Sequence, residues 1–341
     1  MARLSSGSKR ANKREARTLP VSFAPVTPER PDDAAVAALD GGAVLVDRSY
    51  LGRLAITGPQ AREALGALAT NDIESLRPGT GCFAACCTAK GRMLGEIRVL
   101  DTGDELFVDM ERVSLQPVFD LIRHGLVGYE AELHKRTLET SELSLLGPDS
   151  RRIAGANGLG EEECDNAAAV VGGSEVLVAA TNLGVDIVCD VADEPAVTEA
   201  LTGAGALPAS LAVAEMARVR SGRPRYGVDL DETVIPEEAG LNERLVNFEK
   251  GCYVGQETIA RLHYRGRPNR RLCRLALDGP AGPGTPLSLG ERQVGELTSV
   301  AEIPGEGITG LALIRREAED GERLRVADGP VEAVILGASG S

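Results

Sequence analysis

Short runs of hydrophobic residues, separated by glycine and polar turns, recur between residues 43 and 126. Because a strand with one buried face alternates every two residues, such runs predict antiparallel strands joined by tight turns. Apolar residues spaced three or four apart predict an amphipathic helix over residues 60–68, and residues 113–126 are a second candidate helix. The predicted strands cover residues 43–47, 52–57, 82–88, 93–100 and 105–109.

The same mixture of strands and helices continues to Gly222, after which the periodicity fades. Helices are predicted over residues 195–203 and 211–221, the second of them stopped by that glycine. Residues 223–269 form a loop-rich stretch, and residues 272–336 alternate short apolar runs with turns, as in a small β-barrel or sandwich. Further strands are predicted over residues 141–147, 174–180 and 185–191.

Residues 1–33 differ from the rest of the chain because they are polar, basic and then rich in proline. Such a composition buries little apolar surface, so we predict a disordered or loosely attached tail. No apolar run follows the basic start, and none elsewhere approaches the roughly 18 residues of a membrane span. We therefore expect neither a signal peptide nor a membrane partner.

The chain is acidic, with a formal net charge of −14, and contains seven cysteines in 341 residues. Because an acidic surface repels polyanions, direct binding of nucleic acid is not expected. An odd cysteine count in a chain of this size favours reduced thiols and a cytoplasmic location. Cys82, Cys86 and Cys87 lack the spacing of a zinc site, and strand alternation sets Cys87 on the opposite face from the other two. We predict no metal site.

The segment 218–274 departs from this acidic background, with twelve Lys/Arg against eight Asp/Glu. It also holds three of the five tyrosines, Tyr226, Tyr253 and Tyr264. Long loops inside compact domains are usually functional, tyrosine rings pack against flat ligands, and arginines bind carboxylates in pairs of hydrogen bonds. These features predict a ligand with a ring and carboxylates, which describes folates and also many nucleotides.

An octapeptide inside this segment resembles the Lys-Gly-Cys-[Phe/Tyr]-x-Gly-Gln-Glu signature of YgfZ-type proteins, which are relatives of the glycine-cleavage aminomethyltransferases. The octapeptide is Lys250-Gly251-Cys252-Tyr253-Val254-Gly255-Gln256-Glu257. Its flanks are similar to the same family at residues 216–224, 226–229, 236–239 and 261–266, as are residues 52–72 and 295–299.

The resemblance covers roughly residues 40–340 and implies an α+β, aminomethyltransferase-like fold of antiparallel sheets with helices, plus a small C-terminal β-barrel. It implies a discontinuous folate-binding domain (34–139 and 212–268), a second α+β domain (140–211) and a barrel domain (269–341). It also implies tetrahydrofolate, or a one-carbon derivative, in a central opening. The family's role is the assembly or repair of iron–sulfur clusters, including those of tRNA-modifying radical enzymes, so such enzymes or their assembly factors are expected partners.

Cys252 is the candidate catalytic residue, because the family signature centres on it and nearby cations favour the thiolate form of a cysteine. The alternative is a small thiol that packs a turn. The residues expected to bind folate are Lys250, Gly251, Tyr253, Gly255, Gln256, Glu257, Arg218, Tyr226, Arg261 and Tyr264.

The chain departs from the aminomethyltransferases at two positions. Those enzymes carry a pair of Asp after the turn between two early strands, and the corresponding pair here is Gly95-Glu96. The first carboxylate is absent, and strand alternation is expected to turn Glu96 to the opposite face. The family's Gly-Tyr-Thr-Gly-Glu segment is also replaced, with Asn182 near the Glu position. Both departures favour a folate-binding protein without this activity.

Two other functions stay open from the sequence. One is a true folate-dependent aminomethyltransferase, which the wider family resemblance allows. The other is an RNA-binding module that uses the basic tail and the basic loop.

Overall fold

The computed structural model of the protein describes residues 31–338. Most of the predicted tail, residues 1–30, lies outside these residues, whereas Asp32 already caps the first helix by accepting from the Ala34 N–H at 2.8 Å. The α-helices within the described range are α1 (Asp33–Gly41), α2 (Ala61–Gly66), α3 (Leu115–Gly125), α4 (Ser150–Ile153), α5 (Glu194–Gly203), α6 (Leu211–Arg220), α7 (Asn242–Leu245) and α8 (Gln256–Arg265).

The strands of the same range form two open sheets and one closed barrel. They are β1 (Val44–Asp47), β2 (Gly52–Thr57), β3 (Gly81–Cys87), β4 (Met93–Asp101), β5 (Leu106–Met110), β6 (Glu132–Lys135), β7 (Thr140–Leu146), β8 (Asn166–Val171), β9 (Ser174–Thr181), β10 (Gly184–Asp190), β11 (Leu207–Pro208), β12 (Arg270–Leu277), β13 (Pro286–Leu289), β14 (Arg292–Ile303), β15 (Gly307–Arg315), β16 (Arg323–Val326) and β17 (Glu332–Ala338).

The five-stranded sheet has the order β3-β4-β5-β2-β6. Helices α2 and α3 cover one of its faces, where Ile56, Leu65, Ile97 and Ile122 are fully buried in one core. The chain from Tyr226 onward packs over the other face of β3 and β4 in a separate core. The predicted cysteine alternation is confirmed, because Cys82 and Cys86 belong to the first of these cores and Cys87 to the second.

The six-stranded sheet has the order β11-β1-β7-β10-β9-β8. Strand β1 pairs with β7, with Val46 opposite Ser144, and so belongs to this sheet although residues 34–139 were predicted to form one domain with the first sheet. Val44 and Val46 have no exposed surface, as expected for an interior strand. Alternation predicts such a strand correctly but does not indicate which sheet receives it.

The C-terminal unit is a closed barrel of six strands, in the order β12-β15-β14-β13-β16-β17, as predicted. Helix α6 packs on β14 and β15, and α1, β1 and α6 share one core with barrel residues such as Leu272 and Leu311. The barrel is therefore joined to the rest of the protein through buried apolar contacts as well as through the chain.

Helix α8 lies in the stretch that was predicted to be a loop. Ile259 is its only buried residue, and the helix is polar on average, so the sequence interpretation does not recognise it among the surrounding loop residues. Its start is set instead by Gly255, whose φ of +88° suits glycine. None of the helices between residues 31 and 338 is long and apolar enough to cross a membrane.

Candidate functional site

A cavity of about 180 Å³ lies where the five-stranded sheet, the six-stranded sheet and helix α6 meet. A second opening of about 470 Å³ shares part of its wall, including Phe83, Asn182, Arg223 and Arg244. The lining of the first cavity is rich in charged side chains, and it carries aromatic rings from Tyr50, Phe83 and Tyr226. The site therefore combines ring faces with charges of both signs.

A buried network of ion pairs lines the part of this cavity where the two sheets meet. Arg98 of β4 donates to Asp109 at 2.7 Å, to Asp186 at 2.5 Å and to Glu142 at 3.0 Å. Arg53 lies 3.8 Å from the second oxygen of Glu142. Burial, together with the neighbouring Asp109, raises the pKa of the Glu142 carboxyl to about 8. This network joins β4 and β5 to β7 and β10.

The orientation of Gly95 and Glu96 differs from the one expected from the sequence. Gly95 faces helix α3, where an added Cβ would lie 2.5 Å from Ser114 Cβ and 3.2 Å from Val118 Cγ2. Glu96 therefore points to the other side of β4, and that side faces the cavity. The predicted alternation holds, but the expectation that Glu96 turns away from the site is wrong. Sequence alone does not tell which face of β4 the helices cover.

Glu96 is part of a charged and aromatic group at the cavity wall. Its carboxylate lies 3.5 Å from Arg244 Nε, and the Arg244 guanidinium lies over the Phe83 ring at 3.5 Å from the centroid. Arg244 also contacts Glu163, which accepts a further hydrogen bond from Arg223 at 2.9 Å. A carboxylate, a guanidinium and a ring are thus brought together from β3, β4 and α7.

The charges of Glu96 and Arg244 are under-solvated. Burial raises the pKa of the Glu96 carboxyl, and the attraction of Arg244 opposes that shift only in part. Burial and the nearby charge of Arg223 lower the pKa of Arg244. Since both partners lose hydration that their contact does not fully replace, a ligand that hydrogen-bonds to either of them would be stabilised.

Three buried guanidinium nitrogens of the lining have no hydrogen-bond partner among the described residues. They are Arg244 Nε, Arg244 Nη2 and Arg225 Nε, of which Arg244 Nε lies 3.5 Å from the Glu96 carboxylate. The remaining contacts of Arg225 include a bond from Nη1 to Glu215 at 2.9 Å. Unsatisfied buried donors are uncommon in proteins, and each offers a bond to a ligand acceptor such as a carbonyl or carboxylate oxygen.

Of the residues predicted to bind folate, Arg218 and Tyr226 line the cavity. Arg218 contacts Glu215, Asp229 at 2.7 Å and Ser299 Oγ at 2.6 Å, so it also connects α6 to the barrel. The Tyr226 hydroxyl donates to the Met93 carbonyl at 3.0 Å. The other eight predicted residues and Cys252 line neither opening.

Lys250 holds the loop of the octapeptide against the five-stranded domain. Its ammonium donates to the carbonyls of Gly66, Ala69 and Asn71 at 2.6, 2.9 and 2.8 Å. These bonds use all three donors of a lysine. Gly255 lies against the turn after β3, where an added Cβ would be 2.6 Å from the Thr88 carbonyl oxygen.

The remaining residues of the predicted site lie on the outside of the molecule, with one exception. Tyr253 is buried in the core beneath α8, and its hydroxyl has no hydrogen-bond partner among the described residues. Gln256 is half-buried in the first turn of α8. The exposed residues are Gly251, Cys252, Glu257, Arg261 and Tyr264.

Sequence reasoning missed several cavity residues. Arg48 and Tyr50 follow β1 in a turn that resembles any polar connection, and Phe83 alternates within an ordinary strand. Glu163 belongs to an acidic run, Glu161-Glu162-Glu163, that by itself suggests only a solvated surface. Asn182 does line the cavity, and its backbone N–H donates to Glu163 at 3.1 Å, so a carboxylate lies beside the position predicted to lack one.

Comparison with known proteins agrees with this architecture. Residues 269–338 match the CAF17 C-terminal β-barrel domain. The aminomethyltransferase of Rubrobacter xylanophilus is 29% identical over 331 residues, covering 93% of this chain and 87% of that protein. The aminomethyltransferase of Streptomyces coelicolor is 29% identical over 299 residues, covering 82% of this chain and 79% of that protein.

Among solved structures, the glycine cleavage system aminomethyltransferase T of Bartonella henselae aligns with a TM-score of 0.80 at 18% identity. The alignment covers 89% of this chain and 88% of that one, and the predicted aminomethyltransferase-like fold is confirmed. The GCVT N-terminal domain family matches residues 16–250, which is more than half of the sequence. The chain therefore belongs to the GCVT N-terminal domain family and carries a CAF17-type β-barrel at its C-terminal end.

Proposed function

We propose that this protein binds tetrahydrofolate, or a one-carbon derivative of it, in the central cavity. We further propose that it acts in the cytoplasm to support the assembly or repair of iron–sulfur clusters, including clusters of tRNA-modifying radical enzymes. Membership of the GCVT family supports the first part, and the CAF17-type barrel supports the second.

The observation that carries the folate assignment is the under-solvated pair of Glu96 and Arg244 beside the Phe83 ring. A pterin presents N–H donors, a carbonyl acceptor and a flat ring, and a folate ends in carboxylates. Glu96 would accept from the ring, while Arg244 Nη2 and Arg225 Nε supply donors that lack partners. The residues of the cavity therefore fit this ligand, which would bring a one-carbon carrier to the site.

Calorimetric titration with tetrahydrofolate under reducing conditions tests this part. Wild-type protein should bind saturably, and Glu96→Gln should bind about tenfold more weakly or worse, since the charged acceptor is lost. Glu257→Gln is the matched control, because Glu257 is exposed on α8 and lines neither opening. Absence of binding by the wild type would remove the folate assignment, and equal affinities of the two variants would remove Glu96 from the site.

The iron–sulfur part needs a measurement in cells that lack the protein. Activity of a cluster-dependent, tRNA-modifying radical enzyme should fall in those cells and recover when the wild-type chain is supplied. Cys252 is exposed, so Cys252→Ala should fold and bind folate normally. Failure of that variant to restore activity would support a chemical role for the thiol, whereas full recovery would leave Cys252 without one.

The orientation of Glu96 also favours a second candidate function. A carboxylate does face the cavity at one position of the Asp pair, and the relatives described above are named aminomethyltransferases. This function predicts folate-dependent release of ammonia from an aminomethyl-loaded lipoyl protein, at a rate that Glu96→Gln reduces strongly. Intact folate binding without any ammonia release would reject it.

A further inference from the structure

The octapeptide and helix α8 lie outside the central cavity, and they form a basic surface on a chain whose net charge is negative. Residues 258–274 contain six arginines and no Asp or Glu, in a protein whose net charge is −14. Three of the six have partners, namely Arg270 with Glu238, Arg271 with Asp320 and Arg274 with a backbone carbonyl.

The other three arginines are Arg261, Arg265 and Arg267. All are exposed, and within the described part of the chain none of them forms an ion pair. Arg261 lies beside both Tyr264 and Arg265 on the surface of α8, since it precedes them by three and four positions. Tyr264 is 67% exposed, which is high for an aromatic side chain. We call Arg261, Tyr264, Arg265 and Arg267 the α8 surface.

An aromatic stack fixes this surface to the loop that precedes it. The rings of Phe248 and His263 are parallel within 14°, with centroids 3.9 Å apart. Tyr264 meets both rings edge-on, at 5.9 Å from Phe248 and 5.0 Å from His263. Together with the three carbonyl bonds of Lys250, these contacts hold the loop and the helix in one arrangement.

Such a surface has the composition of a binding interface. Tyrosine and arginine are enriched where proteins meet, and a pre-ordered surface loses little conformational entropy on binding. The one acidic residue of α8, Glu257, lies one turn before Arg261 and at the opposite end of the helix from Arg265, while Glu237 of a neighbouring turn lies 3.5 Å from His263 Nδ1. The unpaired charge is therefore positive, and it is complementary to carboxylates.

We propose that the α8 surface is the docking site for a carboxylate-rich segment of a partner protein. Helix α8 has ten residues and so spans about 15 Å, which suits a short segment. A nucleic acid strand would extend beyond it over a chain that carries an excess of negative charge, which disfavours a polyanion. The proposal is independent of folate binding, because none of the four residues lines the cavity.

Fluorescence anisotropy with the full-length chain and a labelled oligo-glutamate peptide tests the proposal. The double variant Arg261→Glu/Arg265→Glu should bind about tenfold more weakly than wild type. Arg316→Glu/Arg325→Glu makes the same change of net charge on exposed barrel arginines and should keep most of the affinity. Tyr264→Ala leaves the charge unchanged and should still weaken binding several-fold, because the ring contributes contact area.

Urea denaturation of every variant shows whether the domain is folded, and tetrahydrofolate titration of the same variants separates this test from that of the proposed function. No binding of oligo-glutamate by the wild type overturns the proposal. An equal loss in the barrel variant also overturns it, since the binding would then follow net charge alone. Tighter binding of oligo-uridylate, lost with the same α8 residues, would assign the surface to nucleic acid and reject the protein partner.

Discussion

Arg98 Nη1 of β4 lies 2.5 Å from a carboxylate oxygen of Asp186 on β10, and this buried ion pair joins the two open sheets. Both side chains are almost completely buried, and Asp186 also accepts from Ser144 Oγ at 2.5 Å. Because Arg98 simultaneously contacts Asp109 and Glu142, one guanidinium binds three acidic side chains. The Arg98 guanidinium thus stabilises the cavity wall by binding acidic side chains of both sheets.

Substitution Arg98→Met should therefore destabilise the protein strongly. Removing one member of a buried pair typically costs about 3–5 kcal/mol, because the remaining charges are left without compensation. Urea denaturation measures the free energy of unfolding. Arg123→Met is the control, since Arg123 forms an exposed pair with Asp120 at 3.2 Å and should cost less than about 1 kcal/mol. Similar small losses in both variants would show that the network contributes little.

The pH dependence of stability should contain a contribution from Glu142. Its pKa is raised from 4.5 to about 8 in the folded protein by burial and by Asp109. The folded state therefore holds more protons than the unfolded state between these values, and stability falls as pH rises. The contribution is complete below pH 4.5 and is lost as pH passes through about 8.

Substitution Glu142→Gln should remove the contribution of Glu142 to the change of unfolding free energy with pH, because the amide stays neutral. The expected change approaches about 1.4 kcal/mol per pH unit for one proton, measured by urea denaturation between pH 5 and 8. Burial also raises the pKa of Asp109, so Asp109 contributes to the pH dependence of stability in both proteins. An unaltered slope in Glu142→Gln would contradict the assignment.

The orientation of Gly95 predicts that an Asp at this position destabilises the protein, whereas the alignment with the Asp pair of the enzymes suggests a gain of activity. If position 95 faced the ligand, Gly95→Asp would restore the missing carboxylate and increase aminomethyl transfer. Because an added Cβ meets Ser114 and Val118, we expect instead a loss of about 3 kcal/mol or more in unfolding free energy, from steric overlap and a buried charge. Gly251→Asp is the control, since Gly251 has open space around its Cα and should tolerate the change. Increased aminomethyl transfer without a loss of stability would show instead that position 95 faces the ligand.

The sequence predicts the fold well where apolar residues alternate regularly, as in β4, and where glycine and proline mark the turns of the barrel. It also indicates that the segment from Arg218 contributes to the site, and the four arginines Arg218, Arg223, Arg225 and Arg244 do line the cavity. The sequence does not distinguish these arginines from the later part of the segment, which lies outside the cavity. The chain changes direction at α7 and α8, so residues that are close in sequence here are not close in space. Glu163 reaches Arg244 from 81 residues away, and no local pattern records that contact.

A substitution at Lys250 tests whether the octapeptide binds the ligand or holds its loop against the five-stranded domain, the role called a clamp here. Its ammonium satisfies three carbonyls, those of Gly66, Ala69 and Asn71. Substitution Lys250→Met keeps much of the aliphatic length but leaves these acceptors without a donor, so the free energy of unfolding should fall by about 1–3 kcal/mol. The affinity for tetrahydrofolate should stay within about twofold of wild type, since Lys250 lines neither opening. Lys90→Met, at an exposed turn, is the control and should change neither quantity. Weakened folate binding with unchanged stability would contradict the clamp and would return the octapeptide to the ligand site.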